Sequence, residues 1–431
     1  RTADRICASR RARLRSSRRT VSCRRLFLVY PFYFLKTHKQ IAINGLFGKL
    51  FLLQVPRQVL IVPDKFKGSL PAREAAEAIA CGWAAACPGD TLSLLPMSDG
   101  GDGFGAVMAS ALSLEEQVFK GINAAGQSRQ AAWWLDAESG QAVVESAQSS
   151  GLALLPRGRF HPFDLDTRGV GTLLLAVGQG GATQCLVGIG GSATNDGGFG
   201  MARSLGWMFR DLRGKAIDRW CELDCLVSIQ APTKQTWPRV RGASDVQNPL
   251  LGIDGATRVF GPQKGIRPGD FAKADACLGR LARVAAEMLG TDFSVTPGAG
   301  AAGGLGFGMM AFAGAAIEPG FDVFANATNL ETKIGEADFV VTAEGAIDEQ
   351  TLMGKGTGQV AKLCQRLGKP CIGLAGQLTL GKAQGNPEDV LFYRLAAIVP
   401  DLAGEREAMA DAATHLERLA NQEARLSTFN T

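Results

Sequence analysis

Three short apolar runs, Val59–Val62, Thr91–Met97 and Phe339–Thr342, read as buried strands, and each runs straight into a polar loop that carries a carboxylate. The loops are Pro63-Asp64-Lys65-Phe66-Lys67-Gly68, Ser98-Asp99-Gly100-Gly101-Asp102-Gly103 and Ala343-Glu344-Gly345-Ala346-Ile347-Asp348. After the first loop, Ser69 offers an N-cap with Pro71 in the first turn, and Ala72, Ala76, Ile79, Trp83 and Ala86 recur along one helical face. Strand, polar loop and helix repeated in this way demand a mainly parallel sheet, whose loops at the carboxyl ends of the strands make the binding crevice. Asp64, Lys67 and Asp99 are expected there. Cys371–Ala375 and Leu395–Val399 add strands, and Glu405–Leu426 closes the chain as a helix.

Between these blocks the texture changes. Gln117–Phe119, Ala131–Leu135 and Ala142–Val144 look like antiparallel strands, and the sheet begun at Val59 resumes near Asp338. Residues 58–118 plus 330–431 are therefore expected to form one discontinuous domain, with 119–329 inserted. Residues 1–57 match neither part: they hold 14 of the 46 basic residues against a single acid, Asp4, so the rest of the chain is net acidic. Upstream translated sequence or a misplaced start explains this leader best, a cleaved targeting segment second and a nucleic-acid arm third. Its apolar run Leu26–Leu35 is too short to span a bilayer and is broken by Pro31, so no membrane partner is expected. The body has no basic stripe with interleaved aromatics, which argues against nucleic acid. Ten scattered cysteines without CxxC spacing point to a reduced, cytoplasmic protein. The three histidines, His38, His161 and His415, lie outside every glycine-rich loop, so a base in this chain is expected to be a carboxylate.

The stretch Cys185–Gly206 couples a strand, Cys185–Ile189, to a helix, Phe199–Leu205, through a loop containing Gly190, Gly191, Ser192, Ala193, Thr194, Asn195, Asp196, Gly197 and Gly198. Little side-chain bulk, many backbone N–H groups and a helix N-terminus suit a phosphate or carboxylate ligand. Asp196 is the loop's single charge, which fits a site shared with a metal ion, a lysine or a substrate hydroxyl, as phosphoryl transfer requires. The same residues equally suit a tight turn in which Asn195 and Asp196 only cap. A second glycine-rich stretch, Pro297–Gly308, satisfies GxGxxG through Gly298, Gly300 and Gly303, with Glu318 or Asp322 at the distance a dinucleotide fold wants its acid. The run before it, Phe293–Val295, is a poor strand, and no GxxxxGK[ST] occurs.

Taken together and in order, PDKFKGSL, PMSDGGDGFG, GIGGSATNDGG, SDVQNPL, FGPQKG, PGAGAAGGLG and TAEGAIDEQT resemble the bacterial glycerate kinase type 1 family, the glycerate 2-kinase group, from about Val59 to the last helix. The resemblance implies a two-domain α/β fold, with a Rossmann- or flavodoxin-like parallel-sheet domain and an inserted second α/β domain. It further implies ATP- and Mg²⁺-dependent phosphorylation of D-glycerate to 2-phosphoglycerate. The chain departs from the family pattern at TAEGA, where Ala343 and Ala346 replace a glycine and an arginine of TGEGR, and at SDGGDGF in place of ADGGEGT.

On this reading Asp196 is the first choice for base or Mg²⁺ ligand, with Asp245 and Asp99 next. Lys67 would bind the glycerate carboxylate or a β/γ-phosphate, or else be a solvated surface lysine. Glu344 and Asp348 would orient Mg²⁺ or ribose. Gly190, Gly191, Ser192, Gly298, Gly300 and Gly303 would let backbone approach ATP, or simply permit close packing. Three other readings stay open: a kinase giving 3-phosphoglycerate, a nicotinamide-dependent oxidoreductase using GAGAAG, and a non-catalytic sugar-acid sensor. A homodimer is compatible with all of them.

Overall fold

The computed structural model describes residues 56–353, 356–379 and 391–427. Its strands run, in chain order, β1 (Gln58–Pro63), β2 (Thr91–Leu94), β3 (Glu115–Ile122), β4 (Ser128–Asp136), β5 (Gln141–Glu145), β6 (Gln184–Gly188), β7 (Met208–Asp211), β8 (Leu226–Gln230), β9 (Arg239–Ala243), β10 (Ala316–Glu318), β11 (Phe339–Asp348), β12 (Cys371–Thr379) and β13 (Arg394–Val399). Strands from both ends of the described chain form one parallel sheet in the order β13-β12-β11-β1-β2. Its strands are apolar on both faces because both faces are covered. Along β1, Val59 and Ile61 join the core under helices Ala72–Ala86 and Ala412–Leu426, while Leu60 and Val62 join the core on the opposite face. β11 divides in the same way, with Phe339 and Val341 on the first face and Val340 on the second. The period of two is what places these side chains.

Helix Ala72–Ala86 packs against Ala412–Leu426 through Gly82, where a Cβ would lie 2.1 Å from the Glu417 carbonyl oxygen. Trp83 is fully buried beside this contact, and burying a side chain of that kind contributes roughly 1.5–3 kcal/mol. Its indole N–H donates to Asp90, which also pairs with Arg57 at 2.7 Å. Arg57 stacks on Trp83 and Phe339, so this residue, counted with the leader by composition, is bound into the body. The other leader residues below 56 lie outside the described residues.

The second sheet has the order β10-β9-β6-β5-β4-β3. β3, β4 and β5 are antiparallel, but β5 then pairs in parallel with β6, β6 with β9, and β9 with β10. A third, two-stranded sheet of β7 and β8 lies beside it. Adjacent residues of β4 show how the second sheet is used. Trp133 faces the large core of the middle segment, whereas Trp134 faces a core that also holds Leu60, Val62 and Val340 from the first sheet. Helices Phe104–Leu112 and Gly320–Thr328 fill the space between the sheets, contributing Phe104, Met108, Phe321 and Phe324.

Several local expectations change. β11 continues past Thr342 to Asp348, paired with β12 as far as Thr379, so TAEGAID is strand rather than loop. Ser69 does not cap its helix: its hydroxyl donates to the Phe66 carbonyl, and the cap position is Pro71. The terminal helix is broken at Asp411 into Glu405–Ala410 and Ala412–Leu426. Among the described residues no helix is long and apolar enough to cross a membrane.

Candidate functional site

The loops that leave β1, β2 and β11 of the first sheet and the parallel strands β5, β6 and β9 of the second frame one crevice. The loop after β2, Ser98–Gly103, is its floor: Gly190 N–H donates to the Gly100 carbonyl at 2.9 Å, and a Cβ on Gly100 would lie 2.5 Å from the Ala243 carbonyl oxygen at the end of β9. Gly320 closes the other side, with its Cα against the Asp99 carbonyl. Into this space come Asp64 from β1, Asp99 from β2, Glu145 from β5, Asp245 from β9 and Glu344 from β11.

These carboxylates feel one another. Burial, then the charge of Asp99, raises Asp64 to about 7, although Lys65 pulls it down. Burial and Asp99 likewise raise Asp245 to about 6. Glu344 is raised by burial and by the neighbouring acids Asp348 and Asp99, against the hydroxyls of Thr357 and Thr351 that both donate to its Oε1. Glu145 is also held up by burial, but both of its oxygens are engaged, accepting from Gly103 N and Gly105 N at the start of helix Phe104–Leu112. Raised carboxyl groups gathered in a cleft mark a site for proton transfer or cation binding.

The buried polar atoms that lack a hydrogen bond point to the same place. Six side-chain atoms among the described residues are in this state, and four of them, Ser98 Oγ, Ser146 Oγ, Asn195 Oδ1 and Asp245 Oδ2, sit in the loops that leave β2, β5, β6 and β9. An orphaned buried polar group is costly, about 1–3 kcal/mol, and a concentration of them at one set of strand ends is what a ligand would repay.

Asp196, the first choice for base or metal ligand, is engaged by hydrogen bonds within the protein. It is fully buried, and its carboxylate accepts four hydrogen bonds: at Oδ2 from Thr167 N (2.9 Å), Thr167 Oγ1 (2.8 Å) and Gly200 N (2.9 Å), and at Oδ1 from Gly198 N (3.2 Å). Burial and Asp166 raise it to about 6 in spite of those donors. Through these bonds Asp196 ties the start of helix Phe199–Ser204 to that of helix Arg168–Gln179. Ser192 is likewise engaged, exchanging a 2.9 Å hydrogen bond with Thr194 Oγ1.

The glycine-rich turns are filled by protein. A Cβ on Gly190 would meet the Gly101 Cα at 2.5 Å, and one on Gly191 the Asp102 carboxylate at 1.7 Å. Gly300 lies against the Pro249 carbonyl, Gly298 against Ile317, and Gly303, at φ +73°, against the Thr194 carbonyl and the Lys264 ammonium. Close packing of one loop on another thus accounts for these glycines. No strand precedes Gly298, since Phe293–Val295 is turn, so the dinucleotide fingerprint lacks its required context.

Lys67 is exposed, whereas Lys65, passed over in the sequence, turns inward with its Nζ 3.8 Å from Asp99 Oδ1. Asp348 caps helix Glu349–Leu352, its Oδ1 accepting from Gln350 N and Thr351 N. Lys264 was legible only as part of FGPQKG. It is buried, donates to the Thr194 carbonyl at 2.7 Å, and is lowered to about 7 by burial, with Asp196 opposing. Among the described residues no group of three or more Asp, Glu, His or Cys side chains forms a metal cage. The donor set instead fits Mg²⁺ in its usual mode, held by one or two carboxylates together with substrate phosphates and water, and Asp245 Oδ2 is an oxygen without a partner.

Known proteins resemble this chain over most of its length. The model of the Glycerate kinase family matches residues 59–428. The chain is 38% identical over 379 residues to a glycerate kinase of Halalkalibacterium halodurans, covering 86% of this chain and 98% of that protein. It is also 38% identical over 349 residues to a glycerate 2-kinase of Escherichia coli, covering 79% and 91%. A crystal structure described as that of a glycerate kinase 2 from Salmonella typhimurium is 32% identical and superimposes with a TM-score of 0.73, covering 87% of this chain and 99% of that one.

Proposed function

Because the chain belongs to the glycerate kinase family, a family of phosphotransferases, we propose that its crevice transfers the γ-phosphoryl group of ATP to D-glycerate, giving 2-phosphoglycerate. The name of the Escherichia coli relative supports the 2-position. The observation that carries the reading is the set of unpartnered buried polar atoms at the ends of β2, β5, β6 and β9, beside carboxyl groups raised toward neutrality.

In this reading Asp64 is the base. Its Oδ1 accepts from Lys65 N at 2.7 Å, which orients the carboxylate and leaves Oδ2 to take the proton of the attacking hydroxyl. A carboxyl raised to about 7 is better matched to a hydroxyl proton near neutral pH than an ordinary aspartate. Asp99 holds Asp64 up, and Asp245 and Glu344 line the same crevice as the candidate Mg²⁺-facing oxygens. Mg²⁺ bound with ATP would neutralise charge on the transferring phosphoryl group. The two sheets are read as two domains that share the crevice, and the lack of disulfides among the described cysteines suits a cytoplasmic enzyme. The test is ADP release with Mg²⁺ and ATP in the presence and absence of D-glycerate. Glycerate-dependent release is expected; its absence with every small hydroxy acid tried would overturn the reading.

A further inference from the structure

Both substrates of the proposed reaction are anions, yet the crevice is walled by acids, so a cation has to face them. Lys67 points to solvent, and Lys264 is committed to the Thr194 carbonyl. Lys65 lies between the acids. The Asp64 carboxylate accepts its backbone N–H, and its ammonium comes to rest on the SDGGDG loop, where a Cβ on Gly101 would be 2.7 Å from Nζ. Glycine at 101 is what makes room for it. The side chain keeps a quarter of its surface open to the crevice.

Its partnership there is loose. The Nζ–Asp99 Oδ1 separation of 3.8 Å exceeds hydrogen-bond range, and among the described residues no hydrogen bond uses any of the three donors of this ammonium. Burial acts to lower the lysine's affinity for its proton, but Asp99, Asp64, Asp102 and Glu145 together outweigh it and the net shift is upward. The group is therefore a stable cation with unused donors, held in the crevice by diffuse attraction.

We propose that Lys65 is the anion-binding residue of this crevice, its ammonium turning from Asp99 and donating to a carboxylate or phosphoryl oxygen of the bound substrate. It makes the acid wall passable to anions. The inference rests on the kinase reading for the identity of the anion, and on geometry alone for the role of the lysine.

The test compares the full-length parent with Lys65→Met, Lys65→Gln and Lys65→Arg, measuring KM for D-glycerate at saturating MgATP, KM for MgATP at saturating D-glycerate, and kcat. Loss of a hydrogen bond to a charged group predicts that Met and Gln raise one KM by about 10- to 100-fold, with thermal stability kept. The KM that moves tells a carboxylate from a phosphoryl contact. Arginine keeps the charge and should return that KM to within about threefold of the parent. Because Lys65 also lowers the Asp64 carboxyl, kcat is compared on its high-pH plateau; a general structural defect would lower Tm and kcat there and would not be rescued by Arg. Both KM values within about twofold of the parent in Met and Gln would overturn the assignment, since that is far below the cost of such a bond. A parent that fails to turn over D-glycerate would count against the kinase reading; Lys65 is then judged by calorimetric titration of MgATP and of D-glycerate. In that titration, unchanged affinity of the Met and Gln variants for both ligands would overturn it.

Discussion

Replacing Asp196 separates an anchor from a catalyst. Its Oδ2 takes three donors and its Oδ1 a fourth, all inside the protein. In Asp196→Asn the amide oxygen can occupy the Oδ2 position and keep three bonds, but as neutral ones, and the NH₂ group is then turned against Gly198 N–H. Bonds to a charged acceptor contribute about 1.5–3 kcal/mol each and neutral ones about 1, so the three retained bonds weaken and the fourth is lost. Removing a buried charge beside Asp166 offsets part of this, leaving a net loss of about 2–4 kcal/mol, or roughly 5–10 °C in Tm. The pH dependence supplies a second check. The carboxyl is raised to about 6 in the folded chain, so the unfolded chain gives up its proton first and this group's contribution falls as pH climbs from about 4 to about 6. Asp196→Asn should lack that slope. Thermal denaturation across this pH range and steady-state kinetics well below Tm are the assays. The anchor role predicts a lower Tm with kcat of the folded protein within a few-fold of the parent. A Tm that is retained with kcat down by about 10²–10⁴ would refute it and make Asp196 the base.

Two other perturbations follow from the same electrostatics. With Asp64 raised to about 7, kcat/KM should rise with pH and level off above about 7. Asp99→Asn should move that limb to lower pH, and Asp64→Asn should cut kcat by about 10²–10⁴; a limb near pH 4 in the parent would contradict the role of Asp64. Lys264 is lowered to about 7, so between pH 7 and 10 the unfolded chain holds the extra proton and stability gains as pH rises. The parent should gain on Lys264→Met by up to about 1.4 kcal/mol per pH unit over that window, and parallel denaturation curves would contradict the burial of a charged lysine.

The parallel sheet was legible because its strands are short, apolar on both faces and end in loops with acids, so β1, β11, β12 and β13 could be placed from residue type alone. β9 was not: Arg239-Val240-Arg241-Gly242-Ala243 carries two arginines, and its pairing to β6 and β10 is set by neighbours distant in the chain. Asp99 and Glu344 stand out in the sequence because they follow strand-like runs, whereas Asp245, behind the unrecognised β9, is visible only as part of SDVQNPL. The anchoring of Asp196 was not legible, because the donors that bury it include Thr167, 29 residues away, a partner no local pattern shows. Lys65 was missed for a different reason. Loops have no period, and only the Asp64 carboxylate on the Lys65 amide and the bare Cα of Gly101 decide that this lysine, rather than Lys67, turns inward. The glycines mark sites of close approach, but a sequence cannot tell whether the approaching atom is a phosphate or, as at Gly303, a carbonyl of the same chain.

The central claim is that this crevice moves a phosphoryl group from ATP to a hydroxyl of D-glycerate. Phosphorus NMR of a reaction containing the full chain, ATP, Mg²⁺ and D-glycerate tests it most directly, because product and position are read from the same spectrum. The account predicts ADP and the signal of 2-phosphoglycerate in equal amounts. A signal of 3-phosphoglycerate alone would contradict the proposed position, and an unchanged ATP spectrum would contradict the claim itself.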